Sequence, residues 1–131
     1  MAKIRIVLAD DHRAVIEKIR LILDEKFEVV DTAEDGRQAI DAVRMLHPDV
    51  LVIDLSMPVM DGLEAAKQLQ ACNCPTRIVF LTIHEDRDFV AAAFSAGASS
   101  YVTKARMSTD LVPAIYNALR GYTFVSRTLT A

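Results

Sequence analysis

The sequence predicts a single α/β domain of five successive strand–helix units, (βα)5, with a doubly wound parallel sheet. Short apolar runs alternate with longer amphipathic segments along the whole chain. The length of 131 residues is typical of one domain. A hydrophobic content of 52% with 25% charged residues is typical of a globular protein rather than a disordered one.

Five apolar runs are the predicted strands, at residues 4–9, 27–33, 50–53, 78–81 and 100–103. The first, third and fourth runs are nearly continuous in Val, Ile and Leu, as in strands buried on both faces. The second run contains Glu28 and Asp31, which favours a place nearer the edge of the sheet.

The segments between and after these runs carry apolar residues at helical spacing, so each is predicted to be an amphipathic helix. Their apolar faces are, in order, Val15, Ile19, Ile22 and Leu23; Ala39, Ile40, Val43 and Leu46; Leu63, Ala66 and Leu69; Val90, Ala93 and Phe94; and Leu111, Ala114, Ile115 and Ala118. Right-handed crossovers then place helices on both faces of the sheet.

Composition excludes several classes of function. The net charge is −3 and the basic residues are scattered, so this chain alone is a poor nucleic-acid binder. The apolar runs are far shorter than the ~20 residues of a membrane span. The N-terminus has no signal-peptide pattern, and Cys72 and Cys74 cannot form a disulfide framework, so we expect a cytoplasmic protein.

Five polar residues follow the predicted strands: Asp10 and Asp11, Asp54, Thr82, and Lys104. Polar residues commonly end strands because loops are solvated, and each one alone has that simpler explanation. In a doubly wound parallel sheet, however, ligand sites form at the carboxyl ends of the strands. The five residues together therefore predict one site.

The predicted site suits phosphoryl chemistry. Three neighbouring carboxylates cannot all stay ionised without a counterion, which Lys104 or a metal can supply. The oxygen ligands favour Mg²⁺ over zinc. Asp54 is the candidate nucleophile, since carboxylates can form acyl phosphates, and Thr82 and the backbone amides of Ser56 and Ile83 are candidate ligands for the phosphoryl oxygens.

These motifs resemble those of the response-regulator receiver domain. The acidic pair in "ADDH", then "VIDLSMPVMDG", "LT" and "YVTK" occur in the family's order from about Lys3 to about Arg120. "DLSMPVMDG" and "GASSYVTKA" are most similar to the NarL/LuxR-type branch, whose members carry a helix-turn-helix DNA-binding domain after the receiver. The resemblance implies the flavodoxin/CheY-like strand order 2-1-3-4-5.

The resemblance also implies roles for individual residues. Asp54 would accept a phosphoryl group from a sensor histidine kinase, and Thr82 and Lys104 would contact that group. Mg²⁺ would be held by Asp10, Asp11, Asp54 and the backbone carbonyl of Ser56. Tyr101 matches the switch position that turns inward when Thr82 moves. We expect Ser56 and His84, two positions beyond site residues, to tune dephosphorylation.

The implied protein is a signalling switch rather than an enzyme, since it would catalyse only its own phosphorylation and dephosphorylation. We expect a receiver domain at residues 1–120 and a tail at 121–131 that begins a linker to a DNA-binding output domain absent from this chain. The resemblance implies homodimerisation on activation and DNA contact only through that output domain. The short apolar runs predict no membrane contact. The sequence departs from the family pattern after Lys104, where Ala105 stands in place of the cis proline of many receivers. A cis bond before a non-proline residue costs ~2.5–4 kcal/mol.

Three alternatives remain open. A haloacid-dehalogenase-like phosphatase also uses an aspartyl nucleophile and Mg²⁺, but Ser56 stands where the second acid of its Asp-x-Asp pair belongs. A flavodoxin-like or nucleotide-binding module is disfavoured because no G-x-G-x-x-G follows the first strand. The third is a receiver fold that binds partners without being phosphorylated.

Overall fold

The computed structural model describes residues 3–23 and 25–127, which form a parallel sheet with helices on both faces. The sheet order is β2-β1-β3-β4-β5-β6, so the predicted fold class and the order 2-1-3-4-5 are confirmed. The strands are β1 (Ile4–Ala9), β2 (Phe27–Ala33), β3 (Val50–Ile53), β4 (Arg77–Thr82), β5 (Ser100–Thr103) and β6 (Phe124–Val125).

The helices are α1 (Arg13–Leu23), α2 (Gly36–Leu46), α3 (Gly62–Ala71), α4 (Arg87–Ser95) and α5 (Met107–Leu119), with a 3-10 turn at Lys104–Arg106 before α5. Among the described residues, no helix is long and apolar enough to cross a membrane.

The buried side chains form two clusters, one on each face of the sheet. Helices α2, α3 and α4 pack against alternate strand residues such as Leu51 and Phe80. Helices α1 and α5 pack against the intervening residues, such as Val52 and Leu81. This alternation follows from the two-residue period of a strand and explains why the central strands are apolar on both faces.

One of the two edge strands of the sheet was predicted from the sequence and the other was not. Strand β2 is an edge strand, as its mixed composition predicts. The other edge is β6, which was not among the predicted strands and which lies within the expected tail. It pairs parallel to β5 with Tyr101 opposite Val125.

Side-chain caps set the start of two helices. Asp35 accepts a hydrogen bond of 2.8 Å from the amide of Gln38 at the start of α2. Asp61 accepts one of 2.9 Å from the amide of Glu64 at the start of α3. The second cap fixes the end of the loop that begins at Asp54.

Candidate functional site

Lys104 brings three of the predicted site residues together. Its Nζ lies 2.9 Å from Oδ2 of Asp54 and 2.9 Å from Oδ2 of Asp10. The three residues follow β5, β3 and β1, whose carboxyl ends meet at one edge of the sheet. The side chains of Asp10 and Asp54 are almost fully buried, so one ammonium contacts two carboxylates with little solvent present.

The protonation of Lys104 follows from these contacts. Burial by itself would lower the pKa of the ammonium, but the hydrogen bonds and charges of Asp10 and Asp54 outweigh it. The net pKa is raised above its ordinary value of 10.5, so Lys104 stays charged at neutral pH. The peptide bond to Ala105 is trans, as are all those between the described residues.

Asp11 and His12 extend the acidic site towards solvent. The Nδ1 atom of His12 lies 3.2 Å from Oδ1 of Asp11 and 3.3 Å from Oδ1 of Asp10. The backbone amide of His12 donates to the same Asp10 oxygen at 2.8 Å. The carbonyl of His12 accepts the first hydrogen bonds of α1, from Val15 and Ile16, so the residue also caps that helix.

The oxygen donors at this edge fit a hard divalent cation. Asp10 and Asp11 offer carboxylate oxygens close enough to share one ion, and the buried carboxylate of Asp54 lies across Lys104 from them. Carboxylates and carbonyls are the ligands that Mg²⁺ prefers, and one ammonium neutralises only part of the charge of three acids. The residues present therefore fit the predicted metal.

A chain of hydrogen bonds links the loops after β3 and β4. The Oγ1 of Thr82, which is fully buried, accepts from the amide of His84 at 3.3 Å. The Nε2 of His84 lies 3.0 Å from Oγ of Ser56, and the amide of Ser56 is 3.4 Å from Oδ1 of Asp54. The imidazole also stacks on Phe89 of α4 at 4.2 Å between ring centroids. The two residues predicted to tune dephosphorylation thus touch each other beside Asp54.

Tyr101 lies inside the protein, with no exposed surface. Its hydroxyl donates a hydrogen bond of 2.7 Å to the backbone carbonyl of His84. Burial, followed by the negative charges of Asp54, Asp86 and Glu85, raises the pKa of the phenol well above its ordinary value. The predicted switch residue is therefore in an inward, neutral and hydrogen-bonded state.

Gly62 is a site feature that the sequence indicates only as part of a turn. A Cβ at this position would collide with the backbone carbonyl oxygen of Asp54. The amide of Gly62 donates to the carbonyl of Leu55 at 2.8 Å, which closes the loop around the candidate nucleophile. The "MDG" motif was the signal available, but a glycine after aspartate predicts a turn and not a close backbone approach.

The fold and this site define a doubly wound α/β domain with an acidic, lysine-bridged pocket at the carboxyl ends of its strands. Residues 6–116 match the response regulator receiver domain, and the chain belongs to that family. Proteins of this family are signalling switches. The relatives of the chain confirm its resemblance to the NarL/LuxR-type branch.

The chain is 33% identical over 130 residues to the transcriptional regulatory protein DegU of Brevibacillus brevis, covering 98% of this chain and 55% of DegU. A solved LuxR-family two-component response regulator from Aurantimonas sp. SI85-9A1 is 36% identical with a TM-score of 0.88, covering 94% of this chain and 89% of that one. The receiver domain of the putative response regulator NarL from Mycobacterium tuberculosis is 30% identical with a TM-score of 0.87, covering 92% and 99%. The chain spans 55–60% of the length of such curated relatives.

Proposed function

We propose that this domain accepts a phosphoryl group on Asp54 from the phosphohistidine of a sensor histidine kinase, with Mg²⁺ bound at the acidic pocket. The observation that carries the proposal is the position of Lys104, whose Nζ lies 2.9 Å from carboxylate oxygens of both Asp54 and Asp10. A cation held at this distance beside a buried carboxylate suits the charge that a transferred phosphoryl group brings.

The chemistry can be written for the residues present. A carboxylate oxygen of Asp54 attacks phosphorus, an O–P bond forms, and the N–P bond to the kinase histidine breaks with its electron pair returning to the ring nitrogen. Lys104 moves its hydrogen bond from the carboxylate to a phosphoryl oxygen. Asp10, Asp11, Asp54 and the Ser56 carbonyl would hold Mg²⁺, which when bound would neutralise part of the charge on the phosphoryl oxygens.

Thr82 and Tyr101 provide the response to phosphorylation in this proposal. The buried hydroxyl of Thr82, which accepts a hydrogen bond from the His84 amide, would donate a hydrogen bond to a phosphoryl oxygen on the Asp54 side. The inward Tyr101 is bonded to the carbonyl of the same His84, so a shift of Thr82 acts on Tyr101 through one short loop. Phosphorylation then shifts a two-state equilibrium of this loop.

The proposed output lies outside this chain. The curated relative DegU is longer than this chain, and a solved relative is a two-component response regulator of the LuxR family. We infer that this domain acts in the cytoplasm within a regulator that homodimerises on activation and binds DNA through a separate output domain. Residues 121–131 then include the start of the connection to that domain.

The test is a mass measurement after incubation with acetyl phosphate and Mg²⁺. The wild-type chain gains the mass of one phosphoryl group, and Asp54→Ala gains none. Asp41→Ala, an exposed change on α2, serves as the matched control and labels like the wild type. Labelling of Asp54→Ala, or no labelling of the wild type, overturns the proposal. Oligomeric state, measured before and after labelling, tests the dimer separately.

A further inference from the structure

Strand β6 attaches the C-terminal segment directly to the strand that carries the switch residue. Val125 lies opposite Tyr101 in the parallel pairing of β6 with β5. The amide of Ser126 donates to the carbonyl of Tyr101 at 2.9 Å. The segment after α5 is therefore hydrogen-bonded to the backbone of the residue whose side chain reaches the His84 loop.

The Ser126 side chain makes two further hydrogen bonds, both buried. Its hydroxyl donates to Oδ2 of Asp110 on α5 at 2.7 Å and accepts from the backbone amide of Thr103 at 3.2 Å. Ser126 is 2% exposed. Thr103 is the last residue of β5 and immediately precedes Lys104, so this serine holds the backbone from which the site lysine extends.

The carboxylate of Asp110 accepts hydrogen bonds from two other side chains besides Ser126. Its Oδ2 also accepts from Nε of Arg106 at 3.0 Å, and its Oδ1 accepts from Oγ1 of Thr109 at 3.0 Å. Burial alone would raise the pKa of the carboxyl, but the hydrogen bonds from Ser126, Arg106 and Thr109 outweigh it and lower the pKa. Asp110 is therefore a charged acceptor at neutral pH, and hydrogen bonds to charged acceptors are the stronger ones.

We propose that Ser126, held by Asp110, is a positioning residue of the phospho-acceptor site, and that it fixes the end of β5 and hence the placement of Lys104 and Tyr101. This inference rests on the proposed function. Neither Ser126 nor Asp110 contacts Asp54 in the described hydrogen bonds, so both act through β5.

The same contacts make the pairing of β6 with β5 sensitive to changes at the phospho-acceptor site. The strand is only two residues long, with Phe124 partly buried against the core and Val125 46% exposed, so the apolar burial that holds it comes from one side chain. The Oγ1 of Thr103, at the end of β5, is buried without a hydrogen-bond partner among the described residues, which costs free energy. Coupling between two sites is reciprocal. A change at Asp54 that moves Lys104 therefore alters how firmly the C-terminal segment is held.

The first test compares Ser126→Ala with Ser108→Ala in the absence of any phosphodonor. Ser108 is exposed on α5, so its replacement by alanine also removes a hydroxyl but breaks none of the buried contacts of Ser126. Hydrogen exchange of the Thr103 amide accelerates about tenfold in Ser126→Ala, the factor for one lost hydrogen bond, and is unchanged in Ser108→Ala. Equal exchange in both variants overturns the positioning role, whether or not the domain is phosphorylated.

The second test measures the rate of labelling by acetyl phosphate with Mg²⁺. Ser126→Ala labels several-fold more slowly than the wild type, and Ser126→Thr, which keeps the hydroxyl, recovers most of the rate. Asp110→Asn, which keeps an acceptor but removes the charge, falls between them. A normal rate in Ser126→Ala despite fast Thr103 exchange overturns the link to the site. Failure of the wild type to label refutes the proposed function and the link, while the exchange comparison still decides the role of Ser126 in β5.

Discussion

The ammonium of Lys104 lies 2.9 Å from Oδ2 of Asp54 and joins the end of β5 to the end of β3. The same nitrogen lies 2.9 Å from Oδ2 of Asp10. Because a buried carboxylate that loses its partner is strongly destabilising, this one side chain contributes both to the geometry of the site and to the stability of the fold.

Replacement of Lys104 by alanine leaves two buried carboxylates facing each other, and we expect the free energy of unfolding to fall by about 3 kcal/mol at neutral pH. The folded-state pKa of Lys104 is raised, so its stabilisation is present below the ordinary value of 10.5 and is lost as the pH rises through the folded value. Urea denaturation of wild type and variant should therefore converge at strongly alkaline pH.

Lys67→Ala, an exposed change on α3, is the control for the loss of one positive charge. It should alter the unfolding free energy by less than about 0.5 kcal/mol. A Lys104→Ala protein as stable as Lys67→Ala at neutral pH would show that the two carboxylates do not depend on the ammonium.

The sequence alone could predict that Asp10, Asp54 and Lys104 meet, because the carboxyl ends of parallel strands share one edge. It could not predict that Lys104 contacts both carboxylates or that Ser56 touches His84. Those contacts depend on the direction of side chains in two loops, and loop backbones are set by distant packing rather than by local pattern. The sequence predicted only that Ser56 and His84 would each lie close to the site, two positions beyond a site residue.

The strands and helices of the core were predictable because their apolar periodicity is strong, and the predicted β1, β2, β3 and β5 have the observed bounds. Strand β6 was not predictable for a physical reason. Two residues carry no periodic signal, and the strand is held by a tertiary hydrogen bond between Ser126 and Asp110.

Tyr101→Phe removes the hydroxyl that donates to the His84 carbonyl at 2.7 Å, and we expect a loss of about 1 kcal/mol in unfolding free energy. Because the folded-state pKa of Tyr101 is raised, its contribution is present below the ordinary value of 10.0 and declines as the pH rises through the folded value. Wild-type stability should therefore decline above about pH 10 more steeply than that of the variant.

Tyr122→Phe is the matched control, since Tyr122 is 64% exposed. Thermal unfolding across the alkaline range should show the wild-type decline in Tyr122→Phe and a shallower one in Tyr101→Phe. The same slope in all three proteins would rule out a buried, hydrogen-bonded phenol at position 101.

The Ser56–His84 contact predicts coupled effects on the lifetime of phosphorylated Asp54. The two side chains lie 3.0 Å apart on the loops beside the carboxylate. Under the proposed function, this is where water approaches to hydrolyse the acyl phosphate. Either alanine substitution should open that approach and shorten the lifetime several-fold, and the double variant should be no faster than the faster single one. Loss of the phosphoryl mass with time measures all four rates; effects that multiply would indicate independent residues.

Gly62→Ala tests the close approach between α3 and the candidate nucleophile. The new Cβ would collide with the carbonyl oxygen of Asp54 and would lie 3.1 Å from Cε1 of Phe80, so the loop must shift. We expect a loss of about 1–3 kcal/mol in unfolding free energy, the range for overpacking a well-packed core. Labelling by acetyl phosphate should also slow, because Asp54 moves relative to Lys104.

Gly121→Ala is the control that distinguishes the effect of this collision from the effect of backbone strain. Gly121 has a φ of +82°, and a Cβ there would meet no atom of the described residues within 4 Å, so alanine incurs only the left-handed penalty of about 1–2 kcal/mol. Gly121→Ala should lose stability yet label at the wild-type rate. If Gly62→Ala also labels at the wild-type rate, contact with the Asp54 carbonyl does not set the geometry of the site, and the glycine serves only the turn before α3.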